Sequence, residues 1–380
     1  MLGERNNALA PARLRRESEC CARGEQHGVW YRLSQAVMRR PAVIAAVSSL
    51  ALLVVGSQFL RIEFTGISAD VLPPSAQGRQ VDEALRAKFP PAPTSPVTIV
   101  AKAPTTARPA VTALREQVAR VPGVEAVTAP AYAGRGLWRL EAIPSGRPLD
   151  DASRRVVQEI RALPAPFDVA VAGPTAEFLD QQSSLRDRLG IALAILCATT
   201  LALLFAMTGS VVLAIKSLLM NVLTLSAAFG LLVVIFQDGR LEQLLGYTSQ
   251  GALEATQPVL LFAVAFGLST DYAVFLLSRI KEARDRGLAD RDAVAAGLER
   301  TGRIVTAAAA LFTVAIGAFA TSQIIFIKQV GVGTALAVII DATIIRALLV
   351  PSLMAMLGRW NWWAPKPLRR LHARLGPAET

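Results

Sequence analysis

The chain is short of the residues on which most enzymatic chemistry rests. Its 380 residues include 3 cysteines and 2 histidines. Cys20 and Cys21 are adjacent in a basic N-terminal segment and Cys197 sits in an apolar run, so no disulfide framework is expected. His27 and His372 have no second ligand at metal spacing, which excludes an ordinary metal site. Charged residues make up 18% and aromatics 6%. The acids are scattered, with no nucleophile, base and acid in one constellation and no glycine loop for a phosphate. The sequence therefore predicts neither an enzyme nor a bound cofactor. Before Pro41 there is no apolar run, so the N-terminus does not read as a signal peptide. A net charge of +11 invites a nucleic-acid partner, but no basic module interleaved with aromatics is present to serve one.

What the chain has is hydrophobicity: 53% apolar residues and a mean hydropathy of +0.42. That profile fits an α-helical polytopic membrane protein with a soluble insert. A hydrocarbon core of ~30 Å needs about 20 apolar residues in a helix. Six stretches qualify: 41–60, 189–207, 211–236, 258–278, 304–325 and 330–349, the last continuing to 357. Only Thr208, Gly209 and Ser210 separate the second and third, which predicts a tight antiparallel hairpin. Segment 279–303 carries seven Lys/Arg, against one in 237–257. By the positive-inside rule, both termini lie in the cytoplasm, the protein is multi-pass in the cell membrane, and its basic ends meet anionic lipid. Trp360, Trp362 and Trp363 then form an interfacial belt.

The organisation that follows is a cytoplasmic basic segment at 1–40, a first transmembrane helix at 41–60, an extracytoplasmic domain at 61–188, a five-helix bundle at 189–357 and a basic cytoplasmic tail at 358–380. The N-terminal segment is expected to be poorly ordered up to Val29 and then a basic helix. Within the outer domain, 96–101 reads as a strand and 108–120 as a helix with Val111, Leu114, Val118 and Val121 on one face. Segments 124–128 and 137–143 alternate like half-buried strands, 148–163 reads as a second helix and 167–172 as a closing strand. Strand, helix, strand, strand, helix, strand is the ferredoxin-like split arrangement, an α+β domain between the first two spans.

Asp271 is the one carboxylate in the fourth span. Such an acid costs roughly 2.5–3.5 kcal/mol at the bilayer centre on insertion scales, so it marks a bundle interior, a partner or a water path. Proton or ion relay is the first functional reading.

Several motifs share one order and spacing: Val37-Met-Arg-Arg-Pro41 before the first span, Ala172-Gly-Pro-Thr-Ala176 leaving the outer domain, and Gly267-Leu-Ser-Thr-Asp-Tyr272 in the fourth span. Val330-Gly-Val-Gly333, Asp341-Ala-Thr-Ile-Ile-Arg346 and Val350-Pro351 follow in the sixth, then Trp360-Asn-Trp-Trp363. Together, from Trp30 onward, they resemble the MMPL branch of the resistance-nodulation-division (RND) superfamily, whose repeat unit is one span, a large outer loop and five more spans. The resemblance implies export of lipids or other hydrophobic molecules driven by proton influx, without nucleotide hydrolysis. It also implies a proton relay at Asp271 and Tyr272, the positions of the family's fourth-span Asp-Tyr pair. Family members carry two repeats. This chain has one, most like the C-terminal half, so a homodimer or a pairing with a first-half MMPL chain is expected. A reading of another class is a non-transporting accessory or ligand-sensing subunit, or a truncated transporter. A first-half chain encoded directly upstream would separate these.

The remaining polar residues of the spans carry more modest expectations. Tyr272 points about 100° away from Asp271 around an α-helix, so the two cannot face one partner squarely. Gly267, Gly331 and Gly333 are read as packing positions where another helix comes close. Ser269 and Thr270 are expected to bond back to their own helix, and Asn221 to another helix. Asp341 is a possible secondary polar or protonation site. Arg346, five residues on, lies about 140° away on an α-helix, so it is expected to snorkel to the inner headgroups rather than pair with Asp341. Lys328 is expected to be solvated at the outer interface, and 288–300 to form an amphipathic strip on the cytoplasmic surface.

Overall fold

The computed structural model describes residues 28–89 and 95–375. The expectation of a poorly ordered N-terminus falls outside the described residues up to residue 27. An amphipathic helix, α1 (Val29–Arg39), ends just before Pro41. Proline at a first helical position costs no hydrogen bond, and α2 (Pro41–Gly56) starts there, with a tighter turn extending this span to Arg61. A two-residue strand β1 (Phe64–Thr65) and helix α3 (Gln77–Lys88) lead into the α/β region.

That region contains β2 (Val97–Lys102), α4 (Arg108–Ala119), β3 (Val124–Val127), β4 (Ala131–Gly134), β5 (Leu137–Pro144), α5 (Asp151–Ala162) and β6 (Asp168–Ala172). The sheet order is β3-β5-β2-β6 with every neighbouring pair antiparallel, and β4 pairs with β5. Period-two alternation puts Val97, Ile99 and Ala101 of β2 and Trp138, Leu140 and Ala142 of β5 on one face. The apolar stripes of α4 (Val111, Leu114, Val118) and α5 (Val156, Val157, Ile160) cover that face and close the core. Asp150 caps α5 by accepting from the Ser153 amide at 2.7 Å.

Gly173, at φ +114, turns the chain out of β6, and a Cβ there would lie 2.6 Å from the Pro96 carbonyl oxygen. The next helix, α6 (Pro174–Thr208), is 35 residues long. At 1.5 Å per residue that is ~52 Å, well beyond a ~30 Å hydrocarbon core. The apolar run begins at 189, but the polar stretch before it has no proline or glycine to stop a helix until Gly190, which α6 passes through. Gly209, at φ +69, closes α6, and Ser210 caps α7 (Val211–Leu232) by accepting from the Leu213 amide. After a π turn to Gln237 come α8 (Glu242–Leu245) and β7 (Leu253–Glu254), which pairs parallel with β1. Helix α9 (Gln257–Asp285), α10 (Asp290–Gly317) and α11 (Ile325–Ile340) complete the bundle. A π-helical stretch (Asp341–Leu349) extends α11 into α12 (Val350–Leu357), and α13 (Lys366–Leu375) follows.

The described residues are mostly helical and include six helices long and apolar enough to cross a membrane. Helices α7 and α11 are the central ones. The α2–α7 crossing is a close one: a Cβ at Gly230 would fall 2.0 Å from the Val55 carbonyl oxygen, and Gly56 packs on Ser226. The expected surface strip at 288–300 is corrected. It forms the first turns of α10, and Ala293, Val294, Ala295, Ala296 and Leu298 are buried there. Helix α1 covers part of it, with the Tyr31 amide donating to Glu299 at 2.9 Å and the Trp30 ring lying on Gly302.

Candidate functional site

Helices α7, α9 and the π-helical extension of α11 meet at a polar knot inside apolar surroundings. Asp341 and Arg346 are each 5% exposed. Arg346 Nη2 and Nε lie 2.6 and 2.7 Å from Asp341 Oδ2. Arg346 is thus buried and paired, and the expectation that it snorkels is corrected. The reason is local. In an α-helix a five-residue offset points the two side chains apart, whereas in a π-helix residues five apart are joined by the helix's own hydrogen bonds and sit about one turn apart. The Val350 amide reaches the Ile345 carbonyl, five residues back. Pro351 has no amide to give, which leaves the preceding turn without one of its usual α-helical bonds.

The pair is tied to α9. Arg346 Nη2 donates to the Ser269 carbonyl at 3.0 Å. Ser269 Oγ lies 2.8 Å from Asp341 Oδ1 and 2.7 Å from Asn221 Oδ1. It has one proton, so it serves one of them at a time. Its expected bond back to its own helix is replaced by these interhelical ones. Thr270 does bond back, to Phe266 O at 2.8 Å, while accepting from Asn221 at 3.1 Å. The Arg346 guanidinium stands 4.9 Å over the Tyr272 ring, close enough for a cation–π contact.

Asp271 is elsewhere. It is exposed on the outer face of α9, turned away from the knot, while Tyr272 is half-buried against it. Leu260, Val264, Gly267 and Asp271 make one open stripe at four- and three-residue steps. A Cβ at Gly267 would meet nothing within 4 Å, so the close helix approach expected there is not made among the described residues. Gly331 and Gly333 do sit at contacts: Cβ atoms on them would lie 2.6 Å from Phe319 Cβ and 2.8 Å from Leu232 Cδ1.

Two lysines complete the inventory. Lys328, expected in solvent, is 3% exposed and donates to the carbonyls of Leu245 and Gly246. Those carbonyls end α8 and have no helical partner, so the ammonium is drawn in to fill them. Lys216 escaped the sequence reading. It is 6% exposed, and its Nζ donates to Asn361 Oδ1 at 3.3 Å. Asn361 Nδ2 in turn holds the carbonyls of Met354 and Gly358. Its own carbonyl accepts from Ser210 Oγ, fastening the end of α12 to the α6–α7 hairpin. A lysine so early in the third apolar run was the available signal. Among the described residues no group of three or more His, Cys, Asp and Glu is placed to hold a metal.

The chain as a whole is matched by known proteins. The model of the MMPL family matches residues 142–376. The chain belongs to the MMPL family. It is 42% identical to a membrane protein of Streptomyces coelicolor over 94% of its own length and 50% of that relative. It is 36% identical to the trehalose monomycolate exporter MmpL3 of Mycolicibacterium smegmatis, over 93% of this chain and 36% of the relative. The mycolic acid-containing lipids exporter MmpL11 of the same organism is 34% identical, over 92% of this chain and 38% of its own. The chain spans half or less of the length of these relatives and corresponds to the C-terminal half of an MMPL transporter of the RND superfamily. A heavy metal efflux pump solved by X-ray crystallography overlaps 74% of this chain and 37% of its own, with a TM-score of 0.45 and 14% identity, a likeness too loose to carry weight.

Proposed function

We propose that this MMPL chain is one half of a proton-coupled exporter of lipids or other hydrophobic molecules. The observation that carries the reading is the Asp341–Arg346 pair, buried where three helices meet and joined through Ser269 to the helix bearing Asp271 and Tyr272. A position needed only for packing would do as well with apolar side chains, since replacing a buried ion pair by them is often neutral or stabilising by about 1–4 kcal/mol. Protonating Asp341 removes the charge that holds Arg346. The guanidinium then leans on Tyr272 and the Ser269 carbonyl alone, and α9 and α11 are free to shift against one another.

Asp271 completes the relay from the other side of α9. Its open stripe, with Gly267 at the centre, suits the close approach of a helix from a second half, either another copy or a first-half chain. The pairing is supported by the fraction of the relatives' length that the chain spans. The lipid cargo is supported by the relatives' names as exporters. The strand order of the α/β region supports its reading as a ferredoxin-like porter domain outside the cell. The basic 279–303 segment supports cytoplasmic termini. A second reading, a non-transporting accessory subunit, is favoured by one observation: Asp271 is exposed, with no hydrogen-bond or ion-pair partner among the described residues.

Reconstitution in liposomes with a pH gradient, alone and with a candidate first-half chain, decides between them. Proton flux that Asp341→Asn and Asp271→Asn each abolish, at normal membrane insertion, is the expected result. Flux retained in both variants removes the relay. Absence of flux in every assembly gives way to the accessory reading.

A further inference from the structure

Two small cavities border on Arg346, and the relay described above uses neither. The first, about 20 Å³, lies between α7, α9 and the π-helical stretch, walled by Ser217, Asn221, Ser269, Asp341 and Arg346 with Met220 beside them. The second, about 10 Å³, lies beneath α1 between Trp30, Thr301, Gly302 and Arg346. Leu276 and Arg346 line both, so these two side chains are the partition. A water needs about 10–15 Å³ of such space and two to four polar partners. The first cavity meets that size, and the second is at its limit.

Two polar atoms in these walls, Ser217 Oγ and Arg346 Nη1, have no hydrogen-bond partner among the described residues. Their residues are 2% and 5% exposed, so bulk solvent does not serve them. Buried donors are nearly always satisfied by protein or by ordered water. An apolar cavity of this size would stay dry, but a hydroxyl, a guanidinium N–H and a carboxylate around one space are what a bound water requires.

We propose that the first cavity is a water site held by Ser217 Oγ and Arg346 Nη1. With the second cavity it forms the exit for a proton leaving Asp341 toward the side of the membrane that carries α1. This deepens the relay reading and rests on it for the proton, though not for the water. A proton leaving the Asp341 carboxyl goes to the water beside Ser217. That water passes one of its own protons past Arg346 into the second cavity, from which it leaves beside Trp30. Asp341 returns to a carboxylate and re-forms its pair, and no electron changes place. While the pair is formed, Arg346 and Leu276 close the partition. When Asp341 is protonated, Arg346 is released and the partition opens, so pairing and conduction alternate and a free leak is avoided. Trp30 caps the route, packed so closely that a Cβ on Gly302 would lie 2.6 Å from its ring.

X-ray radiolytic footprinting of the full chain in lipid nanodiscs tests the water directly, because bound water generates radicals beside its neighbours. Met220 lines the first cavity, whereas Met38 and Met354 belong to the same apolar cluster and line neither. Met220 is expected to oxidise several-fold faster than both, and Ser217→Val to bring it down to their rate. Equal rates for the three methionines in the unaltered chain would overturn the water site. In the liposome assembly that moves protons, Ser217→Val and Thr301→Val, which removes a hydroxyl from the second cavity at nearly constant volume, are each expected to lower proton flux several-fold. Unchanged flux in both would overturn the exit. Fast, Ser217-dependent labelling in a chain that moves no protons in any assembly would reject the relay reading and leave the water site standing.

Discussion

Asp341 and Asp271 sit on neighbouring helices of one bundle, and the chain treats them in opposite ways. Asp341 is closed in, with both oxygens met by Arg346 and Ser269. Asp271 faces out on a stripe of α9 whose other members are Leu260, Val264 and Gly267. Only the first arrangement is finished by this chain alone. The second has the composition of a surface waiting for another helix: apolar, narrow at a glycine, and bearing one acid that is costly to leave in hydrocarbon. Tyr272 links them, since its ring lies under Arg346 while its backbone neighbour points outward.

The largest way to break this contrast is to strand a charge. Arg346→Leu leaves Asp341 buried without its partner and should destabilise the fold by about 3–5 kcal/mol, read as a lower midpoint of thermal unfolding in detergent. Asp271→Asn, on the open face, should stay within about 0.5 kcal/mol of the parent. Equal losses at the two sites would end the distinction. Next comes the bridge. Ser269→Ala removes the one proton that Asn221 and Asp341 share and should cost about 1–3 kcal/mol in the same measurement.

Glycines sharpen the comparison further. Gly230→Ala meets the Val55 carbonyl and should cost about 1–3 kcal/mol through overpacking. Gly267→Leu starts from a Cβ with nothing within 4 Å among the described residues, so the isolated protein should keep its stability while its paired fraction on native mass measurement falls. The smallest effect belongs to Tyr272→Phe. It keeps the aromatic face under Arg346, and a cation–π contact of ~0.5–2 kcal/mol should survive almost whole.

The large features were legible before the structure because they follow from strong, simple signals. Six long apolar runs give six helices, and period-two and period-3.6 patterns give the strands and helices of the α/β region. Strand β4 was missed because Ala131, Tyr132, Ala133 and Gly134 offer almost no β-branched or alternating signal. The knot was half visible. Asp341, Arg346, Asn221 and Ser269 each stood out as polar residues in apolar runs, but their meeting depends on a change of helical type, and reading Arg346 on an α-helical wheel turned it away from Asp341. Lys328 was misplaced because its binding site consists of the carbonyls of Leu245 and Gly246, which no side-chain pattern reports. The burial of 293–298 comes from α1, more than 250 residues earlier in the chain, and from the end of α9, where Ala283 packs with Ala293 and Ala296, so its amphipathic pattern was taken to lie on the cytoplasmic surface rather than between helices.

The most direct test is cross-linking at the open face. In a background with Cys20, Cys21 and Cys197 replaced by serine, Asp271→Cys should join to a second chain in lipid and give a covalent species at least twice the 40.5 kDa of this one. An Asp271→Cys chain that inserts normally yet stays monomeric, with position 271 open to lipid-phase labels, would contradict the account.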